Sequence, residues 1–341
     1  MDLLTINNLS VSFPLGARQR AVAVDGLCAV VRAERTLAIV GESGSGKSIT
    51  ALAAMGLLPK AARIDSGSIM LHAGSQTIDL LAASEQQLRR VRGKEIAMIF
   101  QEPMTSLNPV LSVGEQLEES LLLHQRGLSR AQRRQRIESV LREVGMEHAV
   151  PRLNDYPHQF SGGMRQRIMI AMALICEPRV LLADEPTTAL DVTVQAQVLA
   201  LLRSIREQRG LGVVLITHDL GVVRAHAHDV CVMYAGRIVE AGPTSAIFAS
   251  PTHPYTRALL ACVPRLRQDA PLSHDQPAGV DAPRSRPRLA TVRELLEGGS
   301  LSDERWRLPT GQLAWWPTRT NTAPATPTPI DANHWVLTVR A

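Results

Sequence analysis

The chain has 341 residues, with 37 Lys and Arg against 32 Asp and Glu, a formal net charge of +5, and 45% hydrophobic residues. That is the composition of a globular protein with one large or two modest domains, able to bury a core. The four cysteines, Cys28, Cys176, Cys231 and Cys262, have no paired spacing, which excludes a disulfide framework, a zinc knuckle and an iron–sulfur site; no apolar run reaches the ~18 to 20 residues that span a bilayer.

The amino terminus, "MDLLTINNLSVSF", opens on strand-like alternation and lacks the basic and apolar regions of a secretory signal. Leu3 to Phe13 and Val22 to Val31 read as antiparallel strands, and the hairpin "DVCVMYAGRIVEAG", turning at Ala235–Gly236, joins them in an expected small β layer. The short aliphatic runs "TLAIV", "EIAMIF", "RVLLAD" and "GVVLIT" alternate with helical patterns, the signature of a largely parallel sheet covered by helices. Between Pro103 and Phe160 the strand signal vanishes. There Ile137, Val140, Leu141 and Val144 share one helical face, with Ser129 as expected N-cap and Gly145 as expected stop, and the arginines of "SRAQRRQR" fit the solvated face of that helix. Beyond about Leu266 the composition becomes proline-rich and polar, as in "RQDAPLSHDQPAGVDAPRSRPR" and "TRTNTAPATPTP", the mark of linkers and disordered segments. All four tryptophans lie in this region, so part of it is expected to be ordered against the core.

"GESGSGKS", Gly41 to Ser48, lies between the strand "TLAIV" and the helical "ITALAAMGLL", the context a Walker A phosphate loop requires. Gly41, Glu42, Ser43, Gly44, Ser45 and Gly46 would wrap phosphates with backbone N–H groups, Lys47 would reach the β- and γ-phosphates, and Ile49 opens the helix aimed at them. Ser48 would ligate Mg²⁺. "RVLLADEP" places two acids at a strand's carboxyl end: Asp184 as the Mg²⁺ carboxylate and Glu185 as the group that polarises water. His218, after "GVVLIT", could contact a γ-phosphate or organise Glu185.

In this order Walker A, "FQEP" from Phe100 to Pro103, "SGGMRQR", "LLADEP", "ALD" and "THD" resemble the ATP-binding-cassette (ABC) ATPases over about residues 1 to 262. The resemblance implies an α/β fold: a P-loop NTPase (RecA-like) core with an antiparallel β subdomain and a helical subdomain at about 103–175; the residues beyond it, 263–341, form by their composition a proline-rich carboxy-terminal extension, whose tryptophan- and threonine-bearing tail matches no pattern of the family. In that family two cassettes pack head to tail, which implies that Ser161, Gly162 and Gly163 bind the γ-phosphate held by the partner's Walker A loop. A Ser-Gly-Gly turn at a helix N-terminus suits an anion on physical grounds as well. The usual signature Leu-Ser-Gly-Gly-Gln reads "FSGGM" here, with Phe160 for leucine and Met164 for glutamine. The same resemblance makes Gln101 a sensor of Mg²⁺ and the γ-phosphate, Asp191 an interface residue or a helix cap, and Phe13 the aromatic that stacks on adenine or a strand-core residue.

"QEPMTSLNPV" and "SPTHPYTRALLACVPRL" are similar to the oligopeptide/dipeptide branch, some of whose members carry nickel or other solutes. Relatives often hold several cysteines after the His-Pro-Tyr-Thr segment; only Cys262 stands here, and no cluster is expected. The branch implies an ATP-hydrolysing subunit of a bacterial importer, peripheral on the cytoplasmic face of the inner membrane. Its expected cofactors are ATP and Mg²⁺. Its expected partners are two permease subunits, a second cassette of the same or a related chain and, indirectly, a solute-binding protein. A cassette ATPase acting on nucleic acid or ribosomes is the alternative from another class; with no tandem cassette, coiled coil or zinc module visible, no nucleic acid is expected. A P-loop kinase or GTPase would leave "SGGMRQR" and "THD" without a role, and a non-enzymatic cassette would not need Lys47, Asp184, Glu185 and His218 together.

Overall fold

The computed structural model describes residues 1–16, 19–74, 76–101, 106–188, 190–262, 313–314, 325–329 and 334–339. Within them the four expected parallel strands are present as β3 (Thr36–Val40), β6 (Ile96–Ile99), β7 (Val180–Asp184) and β8 (Gly212–Thr217), lying side by side in the order β3-β8-β7-β6. Each is buried along its length, so both faces need apolar cover. Side chains alternate between those faces: Leu181 and Ala183 of β7 face the helical side with Leu215 of β8, while Val180 and Leu182 face the opposite side with Ile216.

That opposite side is covered by a separate antiparallel sheet, ordered β2-β1-β4-β5, built from β1 (Asp2–Pro14), β2 (Arg20–Arg32), β4 (Arg63–Ala73) and β5 (Gln76–Asp79). Leu4, Leu9, Val11 and Leu27 from it join Ile39, Leu182 and Ile216 in one core. The hairpin β9 (Asp229–Tyr234) and β10 (Arg237–Pro243) turns where expected, with Ala235 and Gly236 both at positive φ. It does not belong to the small β layer, however: β9 pairs in parallel with β3 and extends the main sheet. Its run of residues buried on both faces is a main-sheet pattern, which hairpin chemistry alone does not distinguish.

The helical face carries α3 (Val113–His124), α4 (Arg130–Glu143) and α5 (Gly162–Leu174); the short helices α1 (Lys47–Ala54) and α2 (Glu85–Val91) precede them. Ser129 caps α4 in a reciprocal box with Gln132, and Gly145, at φ +70°, follows its end. Ile137, Val140, Leu141 and Val144 are all buried, packed with Leu117, Leu121, Phe160 and Ile170. The remaining helices are α6 (Val192–Arg209), α7 (Leu220–His226), α8 (Thr244–Ala249) and α9 (Pro254–Ala261). No helix among the described residues is long and apolar enough to cross a membrane.

The segment 267–288, read as a linker, lies outside the described residues, as do Glu102 and Pro103 of "FQEP". Part of "TRTNTAPATPTP" departs from the linker reading: Ala325–Pro329 is a strand, β12, paired with β13 (Trp335–Val339), which also pairs with β11 (Leu313–Ala314) and with β10 of the core. Proline, which has no N–H, is compatible with a strand bonded along one side, and composition alone misses this.

Candidate nucleotide site

β3, β8, β7 and β6 run the same way, so the residues that follow each strand collect along one edge of the sheet, where open α/β sheets place ligands. The sequence order supplies the loop Gly41–Gly46 after β3, His218 after β8, Glu185 after β7 and Gln101 after β6.

The phosphate loop is fixed by packing as well as by its own glycines. A Cβ on Gly41 would lie 2.0 Å from Met233 O, and one on Gly46, at φ +105°, would lie 2.2 Å from Ala23 O. Strands β9 and β2 therefore press on the loop, and only glycine fits. Lys47, 6% exposed, folds back so that Nζ donates to Gly41 O at 2.9 Å and Glu42 O at 2.8 Å. Burial lowers the lysine's pKa from its usual value, against the opposing charges of Glu185, Asp184 and Glu42. Ser45 Oγ is buried with no hydrogen-bond partner among the described residues, so the loop holds an unpaired polar atom that a ligand could satisfy.

Ser48 Oγ donates to Asp184 Oδ1 at 3.0 Å, joining the start of α1 to the end of β7. Burial raises the Asp184 carboxyl, and the Ser48 bond partly offsets it. A hydroxyl and a carboxylate together form a hard oxygen donor set, chemically suited to Mg²⁺.

Glu185 is the first residue beyond β7 and sits at φ +45°, a left-handed conformation rare outside glycine. Its N–H still donates to Ile216 O at 2.9 Å, so the backbone leaves the sheet sharply just past its last ladder bond. Three neighbours hold the carboxylate: Thr188 Oγ1 at 2.7 Å and Gln101 Nε2 at 3.1 Å donate to Oε2, while His218 Nδ1 lies 3.1 Å from Oε1. Burial pushes this carboxyl up, but the bonds from Thr188 and His218 and the charges of His218 and Lys47 outweigh it and hold it below its ordinary value. His218 is thus placed against the Glu185 carboxylate, the second of the two positions expected of it.

Ser161 and Gly162 are exposed at the start of α5, where Ser161 Oγ accepts from Met164 N at 3.4 Å. No described hydrogen bond joins residues 161–163 to the phosphate loop of the same chain. Met164 packs, half-buried, on the helical core. Asp191 is exposed and caps α6, accepting from Thr193 and Val194 N–H at 3.0 Å each. Phe13 and Ile49 are half-buried against the core between the sheets.

Three contacts were not foreseen from sequence. Thr188 is the nearest donor to Glu185; its only local signal is a hydroxyl three residues after the acid. Gln166, buried in α5, donates to Pro186 O at 2.6 Å and ties the signature helix to the loop after Glu185. Tyr255 Oη accepts from Glu42 N at 3.2 Å, linking the His-Pro-Tyr segment to the phosphate loop.

A family profile described as ABC transporter matches residues 24–188, and one described as oligopeptide/dipeptide transporter, C-terminal region, matches residues 239–287. A Brucella ovis protein named for peptide import ATP binding is 52% identical over 266 residues, covering 77% of this chain and 78% of that protein. The glutathione import ATP-binding protein GsiA of Escherichia coli is 50% identical over 291 residues, which are 85% of this chain and 45% of the longer relative. Among solved structures, the dimeric post-hydrolysis state of the ATP-binding cassette MJ0796 bound to ADP and Pi matches with a TM-score of 0.62 at 27% identity, over 71% of this chain and 99% of that one. The structure of cbiO1 from Clostridium perfringens, part of the ABC transporter complex cbiONQ, matches with a TM-score of 0.60 at 27% identity, over 73% and 92%. A phosphate loop, paired acids and signature turn mounted on this sheet, together with these similarities, place the chain in the ABC transporter family as an ATP-binding subunit of the oligopeptide/dipeptide branch.

Proposed function

We propose that this chain hydrolyses ATP to power a peptide importer, working as one of two cassettes beneath two permease subunits on the cytoplasmic face of the membrane. The observation that carries the peptide assignment is the match of residues 239–287 to the oligopeptide/dipeptide carboxy-terminal region, alongside the Brucella relative's name. Site chemistry supports the ATPase mechanism. The loop N–H groups beyond Glu42, whose own N–H is bonded to Tyr255, and Lys47 hold the phosphates; Ser48 and Asp184 would hold Mg²⁺, which when bound supplies charge neutralisation at the phosphate oxygens. Glu185 orients and polarises the attacking water, kept ionised and aimed by Thr188, His218 and Gln101. Ser161 to Gly163, at a helix N-terminus whose first two residues are exposed, complete the site of the second cassette, and Asp191 lies beside it. The dimeric state described for MJ0796 supports that arrangement. Phe13 serves the adenine, and the boundary at residue 262 separates the cassette from its extension.

The test is reconstitution with the permeases, the second cassette and the solute-binding protein in vesicles. Peptide-loaded receptor is expected to stimulate ATP hydrolysis. Stimulation by nickel-loaded receptor alone would overturn the peptide assignment while keeping the ATPase.

A further inference from the structure

The His-Pro-Tyr segment is built into the core more deeply than a connection into a helix requires. His253 and Tyr255 are fully buried, and His253 caps α9 by accepting from Tyr255 N at 3.1 Å. The backbone before α9 is gripped by Glu240 of β10, itself fully buried: Oε1 accepts from Thr252 N at 2.8 Å and Oε2 from His253 N at 2.9 Å. His334, the residue before the tail strand, adds its Nε2 to Glu240 Oε1 at 2.7 Å. A buried carboxylate is stable only when so many donors converge on it. The result is a hydrogen-bonded mount that holds the start of α9 and, with it, the Tyr255 side chain.

The Tyr255 hydroxyl meets the phosphate loop at Glu42, whose two backbone polar groups are thus both held: the carbonyl by Lys47 Nζ and the N–H by Tyr255 Oη. The Tyr255 ring stacks at a tilt on Tyr234, with centroids 4.4 Å apart, and Tyr234 ends the strand whose Met233 carbonyl abuts Gly41. Ring and hydroxyl therefore bear on the same bend of the loop. We propose that Tyr255 is a positioning residue for ATP binding: mounted on Glu240, it fixes the entrance of the phosphate loop through the Glu42 N–H, so the carboxy-terminal segment that marks the transporter branch also sets nucleotide affinity. This rests on the ATP-binding reading above.

Tyr255→Phe in the full chain removes the hydroxyl and keeps the ring. One neutral hydrogen bond corresponds to a roughly two- to tenfold change in an equilibrium constant. Affinity for a fluorescent MgATP analogue is expected to weaken, and the KM for ATP to rise, by that factor, with kcat at saturating ATP unchanged. Hydrogen exchange of the phosphate-loop amides in the nucleotide-free protein is expected to speed up, because the Glu42 N–H loses its partner. A purely structural role predicts instead that kcat falls together with kcat/KM. That result, unchanged affinity, or weakened affinity without faster loop exchange would each overturn the positioning role. Failure of the wild-type chain to bind MgATP would overturn the proposed function itself, a separate outcome.

Discussion

Glu185→Gln isolates charge from shape at the site. The amide is nearly isosteric with the carboxylate, and its oxygen can occupy the Oε2 position, still accepting from Thr188 Oγ1 and Gln101 Nε2. The NH₂ then faces His218 Nδ1, which accepts in one of its two neutral tautomers. No hydrogen bond need be lost, so the thermal midpoint should hold within the error of a surface substitution, about 0.5 kcal/mol. What disappears is the negative charge beside Lys47, Asp184 and the incoming phosphates, so MgATP affinity should stay level or tighten. The ability to polarise water goes with it. General-base catalysis contributes about 10²- to 10⁴-fold, so kcat should drop by that factor, about 3–5.5 kcal/mol of barrier. The assay is phosphate release at saturating MgATP, with nucleotide binding measured in parallel by fluorescence. Turnover within a few-fold of wild type, with binding intact, would remove Glu185 from the catalytic role.

Other substitutions probe separate parts. Gly46→Ala adds a methyl to a residue at φ +105° that already faces Ala23 O, so it should cost about 2–3 kcal/mol of stability and abolish ATP binding; a calorimetric melt and a binding titration check both. Met164→Gln restores the usual signature residue at a half-buried packing position, and turnover is expected to stay within about twofold, since its backbone bond to Ser161 survives; a tenfold change in ATPase rate would assign the side chain a part in closure. Glu240→Gln tests the buried mount through pH. Burial raises this carboxyl, but His334 and the N–H groups of Thr252 and His253 outweigh it, so the folded pKa lies below the ordinary 4.5. Its contribution is then complete above that value and lost as pH falls through the folded pKa. The gap in thermal midpoint between wild type and variant should be constant near neutrality and shrink below pH ~4.5; a gap that widens on acidification refutes the assignment.

Much of the site could be read in the sequence because its signals are local. A glycine-rich run between an aliphatic strand and a helix, or two acids ending a buried strand, is defined by neighbours along the chain. Ser129 and Gly145 were legible for the same reason, since caps are short-range chemistry. Contacts made across the fold were not. Thr188 looks like any turn hydroxyl until Glu185 swings back at φ +45°, and Tyr255 reaches Glu42 only because β9 lies beside β3. Strand β4 is not legible in the sequence because its first half, "RIDSG", is exposed and mostly polar, leaving the buried apolar alternation to Ile69 and Leu71 alone. The hairpin was placed in the wrong sheet because turn chemistry fixes how two strands meet and leaves open which third strand they join.

The order of strands in the main sheet has a consequence for synthesis. β3, which carries the phosphate loop, has no sheet neighbour close to it in sequence: its partners are β8, beginning at Gly212, and β9, beginning at Asp229. A nascent chain exposes the glycine loop early but cannot seat it until Ala235 and Gly236 have emerged and closed the hairpin whose Met233 carbonyl backs Gly41. Nucleotide cannot then act as an early folding template, and the half-made cassette must keep its aliphatic strand from pairing elsewhere for most of translation.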